Sequence, residues 1–132
     1  MNPLRILETC LYADDLSAAE DFFSRVLGLE LFARDEGRHV FFKLGDSMLL
    51  IFNPADSIEQ THLPAHGQQG DGHLALAAEE SELENWKTRL EKANVIIELD
   101  YQWPQGGRSL YFRDPAGNSV EITTARIWGM GP

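Results

Sequence analysis

Three side chains of this chain are of types that bind and activate a substrate through a metal: Glu8, His73 and Glu121. Glu121 is the most telling of them. It interrupts the run Ser119-Val120-Glu121-Ile122-Thr123, in which Val120 and Ile122 share one face and Ser119, Glu121 and Thr123 the other, because side chains alternate along a strand. A carboxylate on an inward face needs a partner, and a metal ion is one of the few good ones. One imidazole and two carboxylates suit a divalent ion such as Mn, Fe, Co, Ni or Zn, with positions left open for water or substrate.

The element that must position Glu121 is a β-hairpin. Two alternating runs, ending at Arg113 and resuming at Ser119, flank Asp114-Pro115-Ala116-Gly117-Asn118, a tight-turn signature. Leu110 and Phe112 share the apolar face of the first run, and Ser109, Tyr111 and Arg113 lie on its polar face.

Glu8 and His73 are positioned by an internal repeat. Leu4 to Tyr12 reads as a strand with Glu8, Cys10 and Tyr12 on one face. Ser17-Ala18-Ala19-Glu20 reads as a capping box, opening a short helix striped by Ala19, Phe22, Phe23 and Val26 and ended by Gly28. Strands are expected over Leu29 to Ala33, His39 to Leu44 and Met48 to Phe52, then a connector over Asn53 to Gly72. The pattern then recurs. A strand over Gly72 to Ala77 leads to a second box at Ser81-Glu82-Leu83-Glu84, a helix striped by Leu83, Trp86 and Leu90 and ended at Asn94, and a strand over Val95 to Leu99 before the hairpin. The expectation is an α+β protein with a single domain over residues 1–132. It holds two βαβββ modules, about 4–53 and 72–125, whose paired curved mixed sheets enclose a cleft. Superposing the modules sets Glu8 on His73 and Leu49 on Glu121, so three of four inward positions carry metal-ligand types.

Composition narrows the partners. The chain has 132 residues, 43% hydrophobic and 24% charged, which is ordinary for one globular domain with a proper core. Its net charge of −10 argues against nucleic acid or an anionic membrane as a partner. No apolar run is long enough to span a bilayer, and the first residues are no signal peptide. A lone cysteine, Cys10, forms no internal disulfide and suits a reducing cytoplasm.

Paired βαβββ modules, Asp15-Leu16 followed by Phe22-Phe23 and Leu27-Gly28-Leu29, and the closing run Phe112 to Glu121 with its Asp-Pro-x-Gly-Asn-x-x-Glu motif resemble the vicinal-oxygen-chelate superfamily. That group includes lactoylglutathione lyase, fosfomycin-resistance thiol transferases, extradiol dioxygenases and bleomycin-resistance proteins. The similarity runs from about Leu4 to Thr124. By position it implies that Glu8, His73 and Glu121 are the metal ligands. Two departures stand out: the first ligand of such proteins is most often His, and the fourth ligand of lactoylglutathione lyases, a Glu, falls on Leu49. The resemblance also implies a homodimer, with the site formed within one chain or across it.

The resulting expectation is a glyoxalase-like metalloenzyme that chelates adjacent oxygens of a small-molecule substrate through a divalent metal, with Glu8 or Glu121 moving the proton. Tyr111 matches a substrate-contacting tyrosine of the fosfomycin enzymes. Tyr101, Trp103, Gln105 and Arg108 precede the hairpin and are placed to close over the cleft, and Cys10 would enter the cavity beside Glu8. His62 and His66 lie in the connector, either near the metal or as bystanders. The alternative is a metal-free protein that sequesters a small ligand or drug, as bleomycin-resistance proteins do.

Overall fold

The computed structural model describes residues 1–68 and 71–131, and the connector reading of Gln69 and Gly70 lies outside the described residues. The chain divides into two compact units, Met1–Gly72 and His73–Pro132. In the first, β1 (Glu8–Tyr12) leads through α1 (Leu16–Asp21) to β2 (Glu30–Asp35), β3 (His39–Leu44), β4 (Ser47–Phe52) and a four-residue helix, α2 (Pro54–Ser57). In the second, β5 (His73–Ala77) leads through α3 (Leu83–Lys92) to β6 (Leu99–Gln102), β7 (Arg108–Arg113) and β8 (Ser119–Thr123). Each unit holds one four-stranded mixed sheet, ordered β1-β4-β3-β2 and β5-β8-β7-β6. The first strand of each runs parallel to the last, and the other pairs are antiparallel. This is the α+β, twice-repeated βαβββ arrangement that the sequence implies.

One face of each sheet is apolar because the helix of the same unit packs on it. Phe23 and Val26 bury against Leu11, Val40, Phe42, Leu49 and Ile51, with Phe23 and Phe42 ring centroids 5.7 Å apart. Leu83 and Leu90 of α3 bury over Leu110, Phe112, Val120 and Ile122. Each such side chain contributes about 1.5–3 kcal/mol by leaving water. The opposite faces carry Glu8, Cys10 and Tyr12 in one unit and His73, Ser119, Glu121 and Thr123 in the other, by strand alternation.

The helix starts differ from the capping boxes. Asp15, not Ser17, caps α1: its carboxylate accepts from the Ala18 N–H at 3.0 Å. Ser81 sits inside a 3₁₀ turn, Glu80–Glu82, that precedes α3. The physical reason is shared by both. The glutamates that would close the boxes are taken by arginines on neighbouring strands, Glu20 by Arg34 at 2.9 Å and Glu84 by Arg108 at 2.5 Å. After α1 the chain widens into a π-turn over Phe22–Val26, which buries both phenylalanines.

Strand edges also shift. β1 begins at Glu8 rather than Leu4, and β2 covers Glu30–Asp35 with a bulge between Leu31 and Ala33. The strand expected over Val95 to Leu99 is instead Leu99–Gln102. Asn94, at φ 60°, turns the chain out of α3, and the Val95 N–H still caps the helix by donating to the Leu90 carbonyl at 3.0 Å, so strand pairing starts later. Among the described residues no helix is long and apolar enough to cross a membrane.

Candidate functional site

The hairpin turn comes first, because it fixes Glu121. The Asp114 carboxylate accepts from the N–H groups of Ala116 at 3.0 Å and Asn118 at 2.8 Å, and from the Asn118 amide at 2.9 Å. Burial pushes its carboxyl pKa up while these hydrogen bonds pull the other way. Gly117, at φ 92°, completes the turn. Tyr111 is thereby set opposite Glu121, and Ser109 opposite Thr123.

Glu121 is 5% exposed, so both of its oxygens need partners. Oε2 accepts a 2.6 Å hydrogen bond from Ser109 Oγ. Ser109 has a single hydroxyl proton, so the 2.7 Å contact with Thr123 Oγ1 is donated by Thr123, and Ser109 also accepts from the Trp103 indole N–H at 2.8 Å. Trp103 reaches it because Gly106 and Gly107, at φ 106° and 96°, fold residues 103–107 into a turn closed by the Trp103 N–H on the Gly107 carbonyl. At Gly107 a Cβ would stand 2.6 Å from Ile127 Cγ2, so only glycine fits under the C-terminal segment.

Oε1 faces His73. The Nδ1 of His73 lies 3.1 Å from the Ser119 carbonyl, which only accepts, so Nδ1 carries a proton and donates it. Nε2 then lies 3.4 Å from Glu121 Oε1. The hydrogen bond at Nδ1 thus holds Nε2 turned toward the carboxylate. A hydrogen bond from one ring nitrogen to a backbone carbonyl, which fixes the ring and leaves the other nitrogen available, is common among histidines that bind metals. Tyr111 keeps its proton near neutral pH. Burial first, then the negative charge of Glu121, raises its pKa above the usual value.

Beside Glu121 the sheet opens into a cavity of about 420 Å³ walled by Leu99, Tyr101, Trp103 and Tyr111. Tyr101 and Trp103 meet edge to face, with centroids 4.8 Å apart.

Of the expected site residues, His73, Glu121, Tyr111 and Trp103 therefore come together on one face of the second sheet. Arg108 does not join them. It projects to the α3 side, where its guanidinium binds Asp100 through two nitrogens at 2.8 and 2.7 Å and Glu84 through the third. Even-numbered residues of β7 face the helix, and Arg108 is one of them. Glu8 and Cys10 lie on the corresponding face of the first sheet, Glu8 exposed and Cys10 half-buried. Burial, then the Glu8 charge, pushes the Cys10 thiol up, so it stays protonated. His66 packs on that face too, 4.6 Å from Phe52 and 2.7 Å from the Tyr12 hydroxyl through Nδ1, whereas His62 is exposed. Among the described residues no group of three or more His, Cys, Asp and Glu side chains gathers to hold a metal ion.

Strand register confirms one half of the repeat alignment and corrects the other. Thr9, Leu49 and Phe42 pair across the first sheet as Leu74, Val120 and Phe112 pair across the second. Glu8 is therefore the counterpart of His73, but the counterpart of Glu121 is Leu50, not Leu49. Four residues separate Lys43 from Met48 and five separate Arg113 from Ser119, so the turns differ by one residue and the face flips. Ser109 and Thr123 were not singled out from sequence. Their signal was available: both fall on the polar alternation of the hairpin beside Glu121.

Residues 5–122 match the Glyoxalase/Bleomycin resistance protein/Dioxygenase superfamily. The chain belongs to this superfamily. A crystal structure described as lactoylglutathione lyase from Agrobacterium tumefaciens is 45% identical, covers 98% of this chain and 100% of its own, and superposes with a TM-score of 0.95. Curated superfamily relatives include the metallothiol transferases FosB of Staphylococcus saprophyticus, 27% identical over 86% of this chain and 72% of that protein, and of Shouchella clausii, 30% identical over 66% of this chain. The match spans 58% of the length of the Shouchella protein. A glyoxalase/bleomycin resistance protein/dioxygenase from Nocardioides, 23% identical with a TM-score of 0.75, covers 94% of this chain and 85% of its own and shares the superfamily fold.

Proposed function

We propose that this protein is a divalent-metal-dependent enzyme of the vicinal-oxygen-chelate type, acting on a small molecule that presents adjacent oxygens. Lyase or isomerase chemistry comes first, ahead of thiol transfer or dioxygenation, because the 45% identical relative is described as a lactoylglutathione lyase. His73 Nε2 and Glu121 Oε1 would hold the ion, with Glu8 as third ligand from the same chain or from the second copy of a homodimer. An ion bound there would supply Lewis acidity toward the substrate oxygens. The chain's own residues do the rest. The Ser119 carbonyl fixes the imidazole tautomer, and Ser109 holds one oxygen of Glu121 so that the other faces His73. Tyr111 keeps a proton with which to hydrogen-bond a substrate oxygen. The carboxylate of Glu8 or Glu121 takes the proton that the substrate loses. Leu50 offers no fourth carboxylate, which leaves three protein ligands. The lone thiol, Cys10, suits a cytoplasmic setting.

The observation that carries this reading is the orientation of His73, Nδ1 donating to a carbonyl and Nε2 turned to Glu121. His73→Ala is the test. It should lower affinity for Mn, Ni or Zn by more than ~100-fold, because two carboxylates hold a transition metal less well than a set with imidazole. Turnover of dicarbonyl–thiol adducts should go with it while the thermal midpoint moves little, since His73 is half-exposed.

A second reading, a metal-free protein that sequesters a small ligand, is favoured by the aromatic cavity beside Tyr111. Ligand binding indifferent both to added metal and to His73→Ala would reject the enzyme reading and leave this one.

A further inference from the structure

The cavity on the second sheet carries information about what it admits. Leu99 and Tyr101 stand on β6, a sheet-edge strand, and are 50% and 38% exposed, large apolar groups left facing solvent. Such exposed surface marks a binding site when it lines a concavity. The volume of about 420 Å³ falls within the ~300–1,000 Å³ of small-molecule sites.

The charge of the cavity decides the class of guest. Arg113 is the only cationic side chain among the described residues that line it. Its Nε donates to Glu98 at 2.7 Å and its Nη1 to the Gly117 carbonyl at 3.0 Å. Glu98 lines the same cavity, so the two charges cancel at the rim. The indole N–H of Trp103 is committed to Ser109 and cannot receive an anion. Lys87 and Arg108 are bound to Asp100 on the α3 side of the sheet. Among the described residues that line the cavity, an anionic group would find no uncommitted cation to offset its loss of hydration. A flat uncharged ring finds two aromatic walls already set at right angles, the geometry that accepts edge-to-face packing.

We propose that this cavity selects substrates by an uncharged aromatic group, seated between Tyr101, Trp103 and Tyr111, and discriminates against carboxylate, phosphonate and peptide-like anionic groups. The proposal rests on the functional reading above only in taking this face as the one that meets substrate. Within that reading, the ring sits beside the metal ligands and the adjacent oxygens lie toward Glu121.

The test uses the full chain as purified, repeated in a chelator, and follows the indole N–H resonance of Trp103, identified by its loss in Trp103→Phe. Acetophenone and benzoate are the probes, of nearly the same shape but one neutral and the other anionic. Acetophenone should shift the Trp103 resonance saturably and bind at least about tenfold tighter than benzoate, about 1.4 kcal/mol. Methylphosphonate and glutathione should leave the resonance in place. Tyr101→Ala, with its circular dichroism spectrum retained, should weaken acetophenone binding by roughly tenfold. Equal or tighter binding of benzoate, methylphosphonate or glutathione would overturn the proposal, as would a Trp103 resonance that acetophenone does not move. Metal titration of the untreated protein is scored separately, so loss of the metal reading and loss of this one are distinct outcomes.

Discussion

The two sheets share one plan on the helix side and diverge on the other. Phe42, Leu49 and Thr9 in the first sheet occupy the positions of Phe112, Val120 and Leu74 in the second, and Val40, Ile51 and Leu11 those of Leu110, Ile122 and Leu76. Eleven of these twelve residues are apolar, Thr9 being the exception; nine are buried, Leu74 and Leu76 are half-buried and Thr9 is exposed. On the far face, Phe41, Leu50 and Cys10 stand where the second sheet has Tyr111, Glu121 and Ala75, and His39, Phe52 and Tyr12 where it has Ser109, Thr123 and Ala77. The first sheet fills that face with stacked rings. His39 lies flat on Phe41 at 3.9 Å, Phe41 meets Phe52 at 5.4 Å, and Phe52 meets His66 at 4.6 Å. Burial lowers the His39 pKa, which keeps the ring neutral among its aromatic neighbours. The second sheet instead surrounds one carboxylate with hydrogen-bond donors. Helix packing constrains one face of a βαβββ module, and the other is free to become either an apolar wall or a polar site.

Three experiments would break or sharpen this contrast. The largest effect is expected where the sheets agree. Phe42→Ala and Phe112→Ala, both fully buried, should each destabilise by about 3–5 kcal/mol, read from denaturant midpoints. A cost several-fold larger in one than in the other would show that the two helix-side cores are not equivalent.

Next comes a substitution where they differ. Glu121→Leu places on the second sheet the residue that the first carries at Leu50. It should cut Zn or Mn affinity by more than about 100-fold, near 2.8 kcal/mol, with the circular dichroism spectrum retained. Unchanged calorimetric titration would remove Glu121 from the metal-binding proposal.

The smallest effect concerns the ion pairs between helix and sheet. Arg108, hydrogen-bonded to Asp100, holds that carboxyl down to about 2, against an ordinary value of 3.8. A depressed carboxyl contributes stability that is full above the unfolded-state value and is lost as pH falls through the folded-state value. The second unit should therefore lose stability between about pH 4 and pH 2 from this group, and Asp100→Asn should flatten that part of the profile. Because the pair lies near the surface, the loss should stay under ~1 kcal/mol. A profile equally steep in Asp100→Asn would assign the acid limb to other carboxylates.

Alternation and repetition made most of the fold legible in advance. The hairpin around Asp114–Asn118, the helix stripes and the equivalence of Glu8 with His73 all follow from periods of two and 3.6 and from glycine or asparagine at turns. Helix starts are not legible in the same way, because an S-x-x-E pattern says nothing of an arginine on another strand, and Arg34 and Arg108 claim the glutamates.

The division has a physical basis. Sequence by itself determined what depends on neighbours along the chain: which residues share a strand face, where turns fall, and that Glu121 sits on a polar alternation. Tertiary structure decided what depends on register between strands. A one-residue difference in turn length moves a side chain to the other face, so only pairing could show that Leu50, and not Leu49, is the counterpart of Glu121. Pairing likewise turned Arg108 toward α3 and brought the Trp103 indole to Ser109, joining the aromatic cavity to the buried carboxylate by two hydrogen bonds that no spacing in the sequence encodes.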